Sequence, residues 1–138
     1  MENLLKSKEF ISNHKTLVDA VTRARNDAES KYGTEDSLRG HCIKYSEQIF
    51  NNLLTLGYNC EIIEGWCQLD CYECCTDTSY EEHTWVDVVL NGKKLYIDVT
   101  GDQFNPLMYD ENCFEGAYVG ELPDFMSYEK PTNWLDFE

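Results

Sequence analysis

The sequence has few basic residues and no long apolar run. Lys and Arg number 11 against 26 Asp and Glu, so the formal net charge of the 138 residues is −15. Duplex nucleic acid and anionic lipid both bind to a basic face, and we therefore expect neither as a partner. No stretch approaches the roughly 18 apolar residues of a membrane span, and the segment Met-Glu-Asn-Leu-Leu-Lys lacks the basic and apolar regions of a signal peptide. These absences predict a cytoplasmic protein that does not bind membranes.

The sequence does contain enough apolar surface for one core. Hydrophobic residues make up 42% and aromatic residues 13% of the chain, which predicts a single domain over residues 1–138. The acidic charge is unevenly distributed, because residues 1–40 hold seven basic and seven acidic side chains whereas residues 41–138 hold four and nineteen. This excess either keeps the protein soluble or attracts a basic protein or peptide.

Two helices are predicted before residue 57. The first runs from about Ser7 to about Lys31 and ends at Gly33. Its outward face is predicted to carry Lys15, Asp19, Arg23, Arg25 and Asp27. The second begins near Gly40–Cys42 and ends at Gly57, and its buried stripe is predicted to be Ile43, Ile49, Phe50, Leu53, Leu54 and Leu56. Cys42 is therefore expected at the amino-terminal end of a mostly buried helix.

Three strands are predicted after the helices. They cover Tyr58–Gln68, His83–Leu90 and Lys94–Val99, and Asn91-Gly92 joins the last two as a tight hairpin. Residues 69–82 are expected to form a loop rich in cysteine and acid, and residues 105–138 an irregular, acidic and aromatic segment that packs over the sheet. The predicted class is α+β, with helices packed on an antiparallel sheet.

Cys42, His83 and Asp98 are the residues that indicate chemistry. A thiol becomes a strong nucleophile as a thiolate, and the positive end of a helix dipole lowers its pKa. A neighbouring imidazole forms an ion pair with the thiolate and returns a proton to the leaving group, while a carboxylate fixes that imidazole. Taken singly, the three residues have structural explanations as a buried thiol, a hydrogen-bonded histidine and a turn-forming aspartate. Together they predict a nucleophile, a general base and acid, and an orienting group.

The predicted hairpin brings two of these side chains together. With Asn91-Gly92 at the turn, residues whose numbers add to about 183 face each other across the two strands. His83 then lies opposite about residue 100 and diagonal to Asp98, within reach of its side chain. The amino-terminal end of the Cys42 helix need only pack against this end of the hairpin.

These residues occur in motifs that resemble the transglutaminase-like branch of the papain-like cysteine enzymes. The matching stretches, each placed on the expected helix or strand, are Gly40-His41-Cys42, His83-Thr84-Trp85-Val86 and Asp98-Val99-Thr100. The following Asp102-Gln103-Phe104 resembles small prokaryotic and phage members. The resemblance covers about residues 38–104, which would form the core of the domain.

The resemblance implies a papain-like fold and acyl transfer through a thioester. Cys42 would be the nucleophile, His83 the general base and acid, and Asp98 the orienting group, with backbone N–H groups at the helix start as the oxyanion hole. Water as the acyl acceptor gives a peptide or amide hydrolase or a glutamine deamidase, whereas an amine gives a transglutaminase. The resemblance also implies that Trp85 lies behind the histidine. The sequence departs from the family in having no clear upstream Gln or Asn as a side-chain oxyanion donor, a role for which Gln103 is the candidate, and in having His41 beside Cys42 as a nearby positive charge. This mechanism needs no cofactor.

Two other interpretations of the sequence remain open, and the first concerns its seven cysteines. An odd number without a signal peptide argues against a disulfide scaffold. The cluster Cys67, Cys71, Cys74 and Cys75 contains one Cys-x2-Cys pair, so a zinc-stabilised module is one alternative, although the usual second pair is missing. The other alternative is a catalytically silent domain of the same fold, of the phage or mobile-element type, that binds a partner through its acidic residues 102–138.

Overall fold

Three α-helices and a five-stranded sheet make up most of the computed structural model, which describes residues 2–69 and 79–130. The helices are α1 (Lys8–Asn13), α2 (Lys15–Tyr32) and α3 (Cys42–Thr55). The strands are β1 (Asn59–Leu69), β2 (Ser79–Leu90), β3 (Lys93–Asp98), β4 (Tyr118–Gly120) and β5 (Met126–Ser127). Short 3₁₀ turns occupy Leu4–Lys6, Glu35–Leu38, Gly101–Leu107 and Asp110–Asn112. Within the described ranges, none of the helices has the length and apolar character that crossing a membrane requires.

The sheet is antiparallel throughout, with the strand order β4-β3-β2-β1-β5. Asn91 and Gly92 both have positive φ, at 52° and 77°, as a tight hairpin turn requires. Val86 faces Ile97 and Leu90 faces Lys93, which confirms the register expected from the sequence. The α+β class and the antiparallel sheet are therefore confirmed, while the papain-like core remains a prediction.

The strands β1 and β2 are longer than the sequence indicates. Their ladder continues to the pair Leu69 and Ser79, so the prediction that residues 79–82 belong to a loop is wrong. These residues are held in the strand by pairing with residues 66–69, a partnership that their own acidic sequence does not reveal. The intervening residues 70–78 and the final residues 131–138 lie outside the described ranges.

The two faces of the sheet bury different kinds of side chain, because successive residues of a strand point to opposite faces. The face under the helices forms an aliphatic layer that includes Leu17, Val21, Leu53, Val86, Val88 and Ile97. The other face forms an aromatic layer that includes Trp85, Tyr96, Phe104, Phe114, Tyr118 and Phe125. The segment after β3 supplies much of this second layer, as its aromatic content predicts.

The helix boundaries follow the sequence in part. Gly33 ends α2 and α3 starts at Cys42, as expected. The prediction of one continuous first helix is wrong, because the helical backbone is interrupted at His14 (φ −133°, ψ 45°) between α1 and α2. The side chain of Ser7 caps α1 by accepting a hydrogen bond from the amide of Phe10 at 3.2 Å. The apolar spacing alone carries no signal for the break.

The buried stripe of α3 differs from the expected one. Ile43, Leu54 and Leu56 are 56%, 54% and 50% exposed, whereas the buried residues are Tyr45, Ser46, Ile49 and Leu53. Two polar contacts set this rotation of the helix, because the Tyr45 hydroxyl donates to Asp27 at 2.8 Å and the Ser46 hydroxyl to the Thr84 carbonyl at 3.1 Å. The buried face of α3 is therefore set by hydrogen-bond partners that lie far away in sequence.

Arg25 is also placed differently from the expectation, since it is buried rather than on the outward face of α2. Its guanidinium donates to both carboxylate oxygens of Asp102, at 2.7 and 2.9 Å, and to the Val99 carbonyl at 2.8 Å. Asp102 also accepts the amide of Glu35 at 3.0 Å. The turn after β3 thus covers this side of α2 and gives the arginine a buried partner.

Candidate active site

The β2–β3 hairpin places His83 and Asp98 in direct contact. Nε2 of His83 lies 2.6 Å from Oδ2 of Asp98, and the two residues are only 2% exposed each. Continuing the observed register by one pair puts Asp98 opposite Trp85, and therefore diagonal to His83. The contact follows from the tight turn at Asn91-Gly92, which fixes both strands.

Asp98 is held by three donors. Besides the imidazole, the Tyr96 hydroxyl donates to the same oxygen, Oδ2, and the Thr100 amide donates to Oδ1 at 3.1 Å. Burial and the charge of Asp98 raise the pKa of Tyr96 well above its ordinary value, so this hydroxyl stays protonated and donates. The carboxylate is consequently fixed in one orientation toward the histidine.

The Cys42 thiol stands at the first residue of α3 and is half-buried. Burial alone would raise its pKa, but the His83 imidazole and a hydrogen bond from the backbone of Thr84 lower the pKa of this thiol below its ordinary value. The positive end of the α3 dipole acts in the same direction. The thiol is therefore biased toward the thiolate.

The histidine responds to the same neighbours. Burial would lower the pKa of His83, but the charge of Asp98 and the adjacent thiol raise it to about 9. Its second ring nitrogen, Nδ1, is buried and has no partner at full hydrogen-bond distance among the described residues, and the Cys42 thiol is the group besides Asp98 that interacts with this imidazole. Cys42 lies close enough for thiol and imidazole to shift each other's pKa. Nδ1 is thus the nitrogen left for exchange of a proton with the thiol.

Aromatic rings and two glycines define the position of the imidazole. The ring of His83 packs edge-on against Phe104, with centroids 5.0 Å apart, and 6.1 Å from Trp85. A Cβ on Gly65 would clash with the indole of Trp85, and a Cβ on Gly101 would lie 2.8 Å from Oδ2 of Asp98. Neither glycine can be replaced by a larger residue without a shift, because the Trp85 indole fills the space at Gly65 and the Asp98 carboxylate fills the space at Gly101.

A cleft of about 370 Å³ opens beside these residues. Cys42 and His83 both line it, and the remaining lining residues are Ile43, Glu64, Gly65, Trp66, Glu82 and Thr84. The hydrogen bond from Ser46 to the Thr84 carbonyl ties the first turns of α3 to β2 at this cleft. A substrate in the cleft would therefore meet the thiol and the imidazole together.

The three residues that the sequence predicts to support the site lie in different surroundings, and two of them do not line the cleft. Trp85 is fully buried behind the site and donates from Nε1 to Asp87 at 3.2 Å. His41 is the residue before α3, but its ring stacks on Tyr32 with centroids 3.7 Å apart. Gln103 is buried, and its Oε1 has no hydrogen-bond partner in the described residues. Neither His41 nor Gln103 lines the cleft.

The cysteine cluster lies only partly within the described ranges. Cys71, Cys74 and Cys75 are outside them, and the residues inside them contain no group of three or more His, Cys, Asp or Glu side chains that could hold a metal. Cys67 is buried in the aromatic layer, whereas Cys60 packs against the aliphatic layer. These two cysteines therefore face opposite sides of β1.

Tyr96 contacts the Asp98 carboxylate but is not among the site residues predicted from the sequence. It precedes Asp98 by two residues on β3 and so points to the same face of the sheet. That alternation could have identified it as a candidate partner of the carboxylate.

Comparison with protein-family models, with curated proteins and with solved structures gave no match.

Proposed function

We propose that this protein is a cysteine-dependent acyl-transfer enzyme that forms a thioester on Cys42. The observation that carries the proposal is the buried contact of 2.6 Å between His83 and Asp98. It fixes one imidazole nitrogen and leaves Nδ1 without a partner among the described residues, beside a thiol whose pKa is lowered. A purely structural histidine would be expected to have both nitrogens satisfied.

The first half of the reaction uses the thiolate and the imidazolium. The Cys42 sulfur attacks the carbonyl carbon of an amide, forming an S–C bond while the carbonyl electron pair moves to oxygen. When the carbonyl re-forms, the C–N bond breaks and the proton on Nδ1 of His83 passes to the departing amine. The acyl group is then held on Cys42 as a thioester.

The second half regenerates the enzyme. Water or an amine attacks the thioester, His83 accepts its proton, and the S–C bond breaks to return the thiolate. Asp98 holds the ring and stabilises its charged form in both halves. Water as acceptor makes the protein an amide hydrolase or deamidase, and an amine makes it a transferase.

The start of α3 supports stabilisation of the oxyanion. The side chain of His41 does not cap this helix, so the first N–H groups of α3 point outward without that partner. Such groups at a helix N-terminus favour developing negative charge. The amides of Cys42 and Ile43 are the proposed donors, because both residues line the cleft.

The reactivity of Cys42 tests this proposal. We would measure the rate of iodoacetamide labelling from pH 5 to 10, residue by residue, in the wild type and in His83→Ala. The wild-type Cys42 is expected to react fast below pH 7. In His83→Ala the rate at pH 6 should fall about a hundredfold, because an ordinary thiol with a pKa near 8.5 is less than about 1% ionised there.

Cys60 provides an internal control in the same experiment. It is half-buried, and burial raises the pKa of its thiol, so it should react slowly at neutral pH in both proteins. If Cys42 and Cys60 show the same pH profile, Cys42 has no activated thiol and the proposed chemistry is wrong. The silent binding domain would then be the better explanation.

A further inference from the structure

The floor of the cleft beside Cys42 is acidic and aromatic. In the β1–β2 ladder Glu64 faces Thr84 and Trp66 faces Glu82, so these four residues alternate with Gly65 and His83 and share one face of the two strands. Glu64 and Glu82 are exposed and Trp66 is half-buried. The two carboxylates are diagonal neighbours, at a Cβ separation of about 7–8 Å that is typical of such pairs.

These two carboxylates form no ion pair with a described residue. No Lys or Arg is among the described lining residues of the cleft. The adjacent Glu81 differs, since it pairs with Arg39 at 2.6 Å. The cleft therefore contains two carboxylates, those of Glu64 and Glu82, that are open to an ion pair with a ligand.

The indole of Trp66 already holds one cation. Nζ of Lys130 lies 5.6 Å from the centroid of its ring, within the range of a cation–π contact. An ammonium or guanidinium is thus a suitable neighbour for this aromatic surface.

A separate feature supports a ligand in this cleft. Nδ1 of His83 is buried without a hydrogen-bond partner in the described residues, and His83 and the Cys42 thiol line the same cleft. The acidic floor and the reactive pair thus line one cavity, so a group bound at the floor would lie next to an amide that reacts with Cys42.

We propose that the acyl donor is a peptide with a lysine or arginine side chain next to the reacting amide, its cation held by Glu64 and Glu82 and taking the place of the Lys130 ammonium at Trp66. This inference rests on the proposed function, because it assigns the substrate of the same thiol. The preference comes from two carboxylates at a solvent-exposed site, so it should be moderate and should weaken with added salt.

The test uses alkylating probes that differ only in charge. Iodoacetyl-arginine amide and iodoacetyl-citrulline amide have nearly the same shape, and iodoacetamide reports the reactivity of the thiol without a side chain. In each case the Cys42 sulfur displaces iodide, which leaves with the bonding electron pair. We expect the arginine probe to label wild-type Cys42 about tenfold faster than the citrulline probe at low salt.

Charge-removing variants locate the source of this preference. In Glu64→Gln/Glu82→Gln, the ratio of the arginine rate to the citrulline rate should fall to near one. The matched control is Glu9→Gln/Glu111→Gln, which removes the same charge from exposed residues outside the cleft and should keep the wild-type ratio. Iodoacetamide labelling of each variant corrects for any change in the thiol itself.

The outcomes separate the two proposals. Equal rates for both amino-acid probes, with rapid iodoacetamide labelling, would overturn the cationic substrate and leave the thiol chemistry intact. An arginine preference that persists in Glu64→Gln/Glu82→Gln would also overturn it, since the floor would not be its source. Slow labelling of Cys42 by all three probes would remove the proposed function and this inference together.

Discussion

Two buried ion pairs lie within a few residues of each other at the end of β3, and they use their hydrogen-bonding groups to different extents. In the pair of Arg25 with Asp102, the guanidinium has the two carboxylate oxygens, the Val99 carbonyl and Glu29 as partners. In the pair of His83 with Asp98, the carboxylate has three donors, but Nδ1 of the imidazole has no hydrogen bond to a described residue.

The difference fits a structural role for the pair of Arg25 with Asp102 and, on the proposed function, a catalytic role for the pair of His83 with Asp98. A buried charge whose partners are all supplied by the chain is costly to disturb and has nothing to offer a ligand. A buried donor left without a partner is destabilising unless something else occupies it. The Arg25 pair therefore holds the turn after β3 against α2, whereas on the proposed function the His83 pair transfers protons.

The largest expected effect concerns the first pair. Arg25→Met should lower the free energy of unfolding by about 3–5 kcal/mol, because Asp102 is left as an unpaired buried charge. The double variant Arg25→Met/Asp102→Leu should recover much of this loss, since it removes both charges. Urea denaturation of the wild type and the two variants measures the difference. Equal loss in the single and double variants would show that packing, not charge, is what Arg25 contributes.

Substituting each aspartate separates the two roles. Asp98→Asn should slow labelling of Cys42 by iodoacetamide at pH 6 about tenfold, because the imidazole loses the charge that stabilises its protonated form. Asp102→Asn is the matched change in the other pair and should leave that rate within about twofold once both proteins are shown to be folded. A slower rate in Asp102→Asn than in Asp98→Asn would reverse the assignment.

The pH dependence of stability sharpens the contrast further. The pKa of His83 is raised in the folded protein, so its stabilisation is fully present below the unfolded value of about 6.5 and is lost as the pH rises toward the folded value. We compare Cys42→Ala with Cys42→Ala/His83→Gln by urea denaturation between pH 5.5 and 9.5. The gap in unfolding free energy should shrink across this range by at least about 1.4 kcal/mol, the equivalent of one pKa unit. A gap that stays constant would mean that Asp98 does not stabilise the charged imidazole.

The smallest expected effect comes from the second donor to Asp98. Tyr96→Phe removes one hydrogen bond to Oδ2 and keeps the ring in the aromatic layer, so stability should fall by about 1 kcal/mol. Labelling of Cys42 should slow by less than tenfold, because His83 and the Thr100 amide still orient the carboxylate. Thermal unfolding and the labelling rate measure the two effects. A loss of reactivity equal to that of Asp98→Asn would make Tyr96, rather than the carboxylate charge, the decisive group.

The features that could be predicted from the sequence depend on local geometry. The turn at Asn91-Gly92 sets the register of β2 and β3 by itself, so the contact of His83 with Asp98 follows from counting residues. The start of α3 at Cys42 is likewise marked by the preceding glycine. The reaction and its substrate remain proposals, because the distance between side chains does not by itself establish catalysis.

The features that could not be predicted depend on distant partners. The burial of Arg25 requires Asp102, 77 residues later, and the rotation of α3 is set by Asp27 and Thr84. The acidic floor of the cleft requires the register of β1 with β2. Residues 70–78 separate those two strands in the sequence, and a connection of that length leaves their alignment open.

The order of the elements along the chain determines when the Cys42 thiol can become reactive during synthesis. Cys42 leaves the ribosome about 40 residues before His83, and a lone thiol with a pKa near 8.5 is a weak nucleophile at neutral pH. The hairpin that joins His83 to Asp98 can close within about 1–10 μs of its synthesis, but it has no nucleophile until α3 docks. On the proposed function, the thiol of the nascent chain therefore stays a weak nucleophile, and docking of α3 against the hairpin is the step that activates it.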